Sequence, residues 1–312
     1  MFIPELVRNR MGIINISVII PHRNSPELLK KLLGTIPVSD DIEVIVIDNS
    51  PNPLKKEQVQ SSRDYLLLYS DINKGAGAAR NVGMKKAQGE WLIFADSDDY
   101  FAPNAFGIVK DYISSSSDIV YFSVDGVYID SGEHADRAER YSRNVKEYLS
   151  GNIDENAVKY DWFVPWGKMI RREMVVSNDL KYDEIVASND LFFSIVTGYY
   201  ARSIQVDPRL LYYVTVNQGS LTRRRDVRVI ESRLYASLHT NQFLKKHHLG
   251  KYQIPVMKYL YQSKEFGLKT TWRFIKEVVK YKQNPFVGIS QGMKKYQNYK
   301  KLEKKESQYI VK

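Results

Sequence analysis

Apolar residues along this chain fall into short unbroken runs, with stretches of helical period between them. Ile16 to Ile20 is a strand-length run that Pro21 is expected to end, and Ser25-Pro26 reads as an N-cap with proline at the first helical position. Leu28, Leu29, Leu32 and Leu33 then form the stripe of a helix. Ile42 to Ile47, Tyr65 to Tyr69 and Trp91 to Ala95 are further strand-length runs. Before the last of these, Ala78, Ala79, Val82, Met84 and Ala87 are the small and apolar positions of a helix that Gly89 stops. Pro103 to Ile113 reads as helix, 114–117 as loop and Ile119 to Val124 as strand. The stretch 130–160 is polar and charged without a clear period. Order returns at Trp162 to Lys168 and in the amphipathic Asp190 to Tyr200. From about Val227 the pattern is helical, with a break near Asn284-Pro285.

Strands alternating with helices predict right-handed crossovers and an α/β fold, a mostly parallel sheet with helices on both faces. The chain has 312 residues, 43% of them apolar, enough for a large core. No apolar run reaches the roughly 18 residues that a membrane-spanning helix needs. Met1 to Met11 lacks the apolar h-region of a secretory leader, so secretion is not expected. The chain has no cysteine, so disulfide and thiolate chemistry are excluded, which agrees with a cytoplasmic setting.

Charge divides the chain. Residues 223–312 hold 22 Lys and Arg against 6 Asp and Glu, a net +16, whereas the first 222 hold 24 against 30, a net −6. The basic end is also aromatic, as in Lys258-Tyr259-Leu260-Tyr261 and in Trp272 to Tyr281. Basic residues interleaved with aromatics at helical spacing suit an anionic membrane surface.

The candidate chemistry lies in residues 75–99. There a glycine-loosened loop leads into the short helix, the Trp91–Ala95 strand and the carboxylates Asp96, Asp98 and Asp99. Ligands of open α/β sheets bind at the carboxyl ends of the strands, where this cluster is expected. Asp96 and Asp98, spaced i and i+2, can both face a hard divalent cation that in turn grips phosphate. Gly75-Ala76-Gly77 with Asp96 beyond it also suggests a dinucleotide fingerprint. Arg80 at the third glycine position and the loop's place after the third strand oppose that reading.

Gly75-Ala76-Gly77-Ala78-Ala79-Arg80-Asn81-Val82-Gly83 and Asp96-Ser97-Asp98 resemble the hallmark of the family 2 glycosyltransferases with the GT-A fold. Ile16 to Asn24 is similar to that family's first strand and nucleotide loop, and Ile42 to Asn49 to its second strand; the likeness spans roughly residues 14–222. The resemblance implies a Rossmann-like GT-A domain over 1–225, with a nucleotide-binding half at 14–125 and an acceptor-side half at 126–225. A basic, aromatic-rich helical region follows over 226–312.

It also implies roles for residues. Pro21, Arg23 and Asn24 would lie along the nucleoside, and Asp48, or Asn49 beside it, would accept from its base. Lys74, Gly75, Arg80, Asp96, Ser97 and Asp98 would bind the donor, with Asp98 and Asp96 holding Mn2+ or Mg2+. Arg80 can equally serve as the structural partner of a carboxylate. Asp190 is the candidate catalytic base, in a Ser188-Asn189-Asp190 segment where relatives commonly carry Glu-Asp; these three can instead simply cap the helix. Trp166, Lys168 and Asn189 would lie near the acceptor or donor sugar, although Trp162 and Trp166 suit a core as well. Gly219-Ser220-Leu221-Thr222 and Arg223 to Arg225 are similar to the family's closing segment.

The expected function is inverting, metal-dependent sugar transfer from a nucleotide-sugar, a UDP-sugar in the first place, to a glycan. The acceptor is expected to be lipid-linked at the inner face of a cell membrane, in surface or capsular polysaccharide synthesis. A nucleotidyltransferase is the competing enzyme class, but Pro21 to Ser25 contains no glycine for the loop it needs. A nucleic-acid-binding protein using the basic end is the competing binding class; no recognised motif supports it, and no nucleic-acid partner is expected. No motif speaks to the oligomeric state.

Overall fold

In the computed structural model, residues 14–216 and 226–287 are described. In chain order the elements are β1 (Ile16–His22), α1 (Pro26–Gly34), β2 (Ile42–Asp48), β3 (Leu66–Tyr69), α2 (Gly75–Lys86), β4 (Trp91–Phe94), β5 (Tyr100–Phe101), α3 (Ala105–Lys110) and β6 (Ile119–Tyr128). They continue as α4 (Glu139–Leu149), α5 (Glu155–Asp161), β7 (Lys168–Arg171), α6 (Arg172–Ser177), α7 (Asn189–Tyr200), β8 (Ile204–Val216), α8 (Val227–Lys246), α9 (Met257–Ser263) and α10 (Leu268–Lys280). All eight strands share one sheet in the order β3-β2-β1-β4-β7-β6-β8-β5.

The first four strands of that order are parallel, and β6 and β8 pair in parallel as well. The antiparallel pairings are β4–β7, β6–β7 and β5–β8. Because β1, β2 and β4 run the same way, the loops after His22, Asp48 and Phe94 open at one edge, which is where the candidate chemistry collects. Their apolar runs are buried throughout, as parallel strands covered by helices require. Leu29, Leu32 and Leu33 of α1 are fully buried, each worth about 2 kcal/mol of hydrophobic stabilisation.

Several elements depart from the pattern. β1 runs through Pro21 to His22, because Pro21 needs no N–H where it sits at the end of the ladder. Ser25 does precede Pro26 at the helix start, but its hydroxyl donates to the Arg23 carbonyl (3.1 Å) instead of capping. The predicted helix over 103–113 is cut to Ala105–Lys110, and the strand at Ile119 extends to Tyr128. The stretch without period folds into α4 and α5; α4 buries only Tyr141 and Val145, too sparse a stripe to read. The antiparallel β7 and the long β8 had no sequence expectation. Pro208 interrupts the β8 run, and the register with β6 slips there, Phe122 facing Asp207 and Ser123 facing Leu210.

The C-terminal helices have a core of their own, Ile230, Leu234, Leu238, Val256, Tyr259, Phe274 and Val278. A second cluster joins them to the sheet domain, where Tyr160, Leu191 and Ile195 pack with Ala236 and Leu244. Among the described residues no helix is long and apolar enough to cross a membrane.

Candidate active site

The loop after β1 and the loop after β2 are tied together by one buried carboxylate. His22 pairs with Asp48 across the β1–β2 register, and its Nδ1 lies 2.8 Å from Asp48 Oδ1. Its Nε2 accepts the Ser25 backbone N–H (3.1 Å), so the proton of the neutral ring is on Nδ1 and is donated to Asp48. Ser50 Oγ also donates to Asp48 Oδ1 (2.6 Å), and the Leu54 N–H donates to Oδ2 (2.8 Å). Burial opposes ionisation of Asp48, but the hydrogen bonds from Ser50, Leu54 and His22 outweigh it and hold the carboxyl below its ordinary range. At 1% exposure and with both oxygens taken, Asp48 ties the two loops together from the buried side.

Pro21 is buried at the end of β1, while Arg23 and Asn24 are exposed. Asn24 adopts a left-handed φ of 57°, and its N–H donates to Ser50 Oγ (2.8 Å). Arg23 donates to the Ile72 carbonyl (3.0 Å), drawing the loop after β3 to the same edge.

Two glycines let α2 approach the segment before α7. Gly75 begins the helix at φ +69°, and a Cβ at Gly77 would stand 2.1 Å from the Asp183 carbonyl oxygen. Lys74 pairs with Glu184 of that segment (2.8 Å), both about half exposed. Asn81 binds it again, accepting the Tyr182 N–H (2.9 Å) and donating to the Tyr182 carbonyl (3.0 Å). The Tyr182 ring stacks on Phe193 of α7 at 3.9 Å and meets Phe94 of β4 edge-on at 5.3 Å, so segment, helix and strand share one aromatic anchor.

Arg80 completes the join. Its guanidinium is 4% exposed; one terminal nitrogen donates to Asp96 Oδ1 (2.5 Å) and the other to Asn189 Oδ1 (2.9 Å). The alternative reading of Arg80 as the partner of a carboxylate is therefore what the geometry displays. Ser188 takes a left-handed φ of 56° and no side chain caps α7, so Ser188, Asn189 and Asp190 do not act as a simple cap. Backbone strain of this kind clusters at functional sites. Asp190 remains partly exposed at the start of α7. Burial pushes its carboxyl up to about 6, against the pull of Arg80, and Asp96 adds to the rise.

Asp96, Ser97 and Asp98 are all partly exposed beyond β4. The Asp96 N–H donates to the Tyr212 hydroxyl (2.8 Å), and Thr215 of β8 donates through its hydroxyl to the Asp98 carbonyl (2.8 Å) and through its N–H to Asp99 Oδ1 (2.7 Å). Burial and the neighbouring Asp96 raise the Asp98 carboxyl above its ordinary range, while Arg137 pulls it down. Asp99, 3% exposed, is pushed well above that range by burial and by Asp98 and Asp96. Clustered, mutually repelling oxygen ligands of this kind suit a hard cation. Among the described residues no three His, Cys, Asp or Glu side chains form a complete cage, so a cation here would take its remaining oxygens from ligand or water.

Two expectations are corrected by burial. Trp166 is 3% exposed, its ring stacked along Tyr212 at 6.2 Å and meeting Tyr141 edge-on, so no face is free for a sugar. Lys168 is fully buried under the site, donating to Ser194 Oγ (3.3 Å), and burial lowers its ammonium to about 7 while Asp190 opposes that shift. Sequence reasoning missed Arg137, Tyr212 and Thr215, which lie in the aperiodic stretch and the Pro-interrupted strand. Residues 217–225, with the similarity to a closing segment, lie outside the described residues.

The model of the family described as "Glycosyl transferase family 2" matches residues 17–176, half of the chain. The chain belongs to that family. It is 27% identical over 205 residues to EpsH of Bacillus subtilis (strain 168), covering 62% of this chain and 58% of that one. It is 26% identical over 214 residues to the poly(ribitol-phosphate) beta-N-acetylglucosaminyltransferase TarS of Staphylococcus aureus (strain Mu50), covering 65% of this chain and 36% of TarS. The chain thus spans less than two thirds of either relative. Among solved structures, S. aureus TarS 1-349 in complex with UDP-GlcNAc superposes with a TM-score of 0.60 at 18% identity, over 86% of this chain and 80% of that one, which establishes the shared GT-A fold.

Proposed function

We propose that the protein transfers a sugar, with inversion, from a nucleoside diphosphate sugar to a hydroxyl of a glycan. The donor in this reading is a UDP-sugar, since S. aureus TarS 1-349 has been solved in complex with UDP-GlcNAc. The observation that carries the reading is the Arg80 bridge, which joins the Asp96–Asp98 turn to the Asn189–Asp190 start of α7. Domain boundaries follow the same logic: 1–225 carries the chemistry, with 14–125 on the donor side and 126–225 on the acceptor side, and 226–312 is accessory.

In this reading the acceptor oxygen attacks the anomeric carbon, its proton passes to the Asp190 carboxylate, and the bond to the diphosphate oxygen breaks with the electron pair leaving on the nucleotide. A carboxyl raised to about 6 is ionised at neutral pH yet more basic than an ordinary aspartate, which suits that task. Asp98 with Asp96 would hold Mn2+ or Mg2+, which when bound neutralises charge on the leaving diphosphate. Asp48, through His22 and Ser50, positions the loops that would take the nucleoside, with Arg23 and Asn24 at their surface. Lys74, Gly75 and Ser97 would contact the donor. An acceptor carried on a lipid at the inner membrane face, in surface polysaccharide assembly, accords with the basic, aromatic C-terminal region.

Nucleoside diphosphate release from a panel of UDP-, GDP- and dTDP-sugars, with Mn2+ and then EDTA, tests this reading. One donor should be cleaved in a metal-dependent way, and Asp98→Ala and Asp190→Asn should each lower the rate at least a hundredfold. Release unaffected by both substitutions would refute the site.

A further inference from the structure

α10 carries two parallel rows at the spacing i, i+4, i+7, i+11 beside its inner face. On the inner face, at the spacing i, i+4, Phe274 and Val278 turn into the C-terminal core, 1% and 3% exposed. One residue on, Leu268, Trp272, Ile275 and Val279 form an apolar row; Leu268 is 79%, Trp272 63% and Val279 68% exposed. One residue further, Lys269, Arg273, Lys276 and Lys280 form a row of cations. At about 100° per residue the cations lie beside the apolar row, on the side away from the core.

We propose that this face of α10 docks on an anionic lipid surface. The helix would lie in the interfacial plane with Leu268, Trp272, Ile275 and Val279 at the acyl boundary and the four cations against lipid phosphates. Charge and pattern select this occupant: a membrane surface offers an apolar layer flanked by phosphate along the whole helix, as the adjacent rows do. Arg273 meets Glu231 at 3.1 Å and Lys280 meets Glu277 at 3.3 Å, both exposed pairs that water and salt weaken. Lys269 and Lys276 have no acidic partner among the described residues. Trp272 also belongs to the residue type that settles at membrane–water interfaces. The inference rests on the reading of the C-terminal region as membrane-facing and not on the transfer chemistry.

The intact protein contains four tryptophans. Trp91 and Trp162 are fully buried and Trp166 is 3% exposed, so a vesicle-induced change in emission reports on Trp272. The probe is phosphatidylcholine vesicles with and without about 30 mol% phosphatidylglycerol, in the absence of donor and acceptor, so its outcome is independent of sugar transfer. Wild type should sediment with the anionic vesicles at low salt with a blue shift, and should be released as salt rises. Lys269→Gln with Lys276→Gln should lower the partition coefficient about fivefold per residue. Leu268→Ser with Val279→Ser should weaken binding and reduce the shift, Trp272→Phe should bind without the shift, and the charge-matched pair Lys30→Gln and Lys146→Gln should bind as wild type. Three results overturn the proposal: no sedimentation of wild type, binding unchanged in both α10 pairs, or a concentration-dependent dimer without vesicle binding.

Discussion

Arg80, in the middle of α2, holds Asp96, just past the end of β4, through a 2.5 Å contact between Nη2 and Oδ1. The Arg80 side chain is nearly sealed from water while the carboxylate stays partly open to solvent, 5% against 28% side-chain exposure. A buried cation of this kind needs its counter-charges, and it has Asp96 at contact with Asp190 close enough to act on it. The Asp96 turn and the start of α7 thus meet on one side chain.

Arg80→Ala removes both links at once. It leaves the Asn189 side-chain oxygen and the Asp96 carboxylate without the Arg80 donor and should destabilise the fold by about 3 kcal/mol, read as a lower midpoint in urea denaturation. Arg80→Lys keeps the charge but cannot reach both acceptors in a fork, so it should recover much of the stability and little of the sugar-transfer rate.

Asp190 should set the acid limb of the pH profile. With a carboxyl at about 6, kcat/KM should rise tenfold per pH unit below that value and level off above it. Stability should run the other way. The folded chain holds this proton up to about 6 whereas the unfolded chain releases it near 3.8, so stability falls as pH rises through that window. Asp190→Asn should therefore inactivate the enzyme yet stabilise it by about 2 kcal/mol at pH 7, with no gain near pH 3.5, as followed by thermal melts.

Lys168 is the mirror case. Its ammonium is lowered from 10.5 to about 7, so the folded chain binds fewer protons than the unfolded between those values and gains stability as pH rises through them. Lys168→Met should raise the melting temperature most below pH 7, by about 2 kcal/mol of stability. It should also move the Asp190 limb to higher pH, because a charge that favours the carboxylate is gone. An unmoved limb would mean that the two groups are uncoupled.

Gly77→Ala puts a methyl against the Asp183 carbonyl oxygen, which belongs to backbone and cannot swing aside. The expected result is a loss of about 2 kcal/mol and a larger fall in transfer rate than in donor binding, because the displaced segment leads into Asn189 and Asp190 at the start of α7. Calorimetric donor titration beside the rate assay separates the two effects.

The parallel half of the sheet was legible in the chain because β1, β2 and β4 are buried on both faces and read as unbroken apolar runs. Their order in sequence placed the Asp96–Asp98 turn at the carboxyl ends of the strands, and Trp272 to Tyr281 was legible as basic residues interleaved with aromatics at helical spacing. What local pattern could not decide is which side chains stay in water. Trp166 and Lys168 stand in a promising motif, yet the sheet closes over them, with Tyr212 and Tyr141 packed on the Trp166 ring and Ser194 facing the Lys168 ammonium. Asp48 likewise turned inward to His22, Ser50 and Leu54. Arg80 could be read as a ligand for nucleotide or for carboxylate until Asp96 and Asn189, 16 and 109 residues away along the chain, were brought to its two nitrogens. Periodicity is a property of neighbours in sequence and determines elements and their faces; burial, ion pairing and the pKa of Asp190 arise between distant segments, and only tertiary packing sets them.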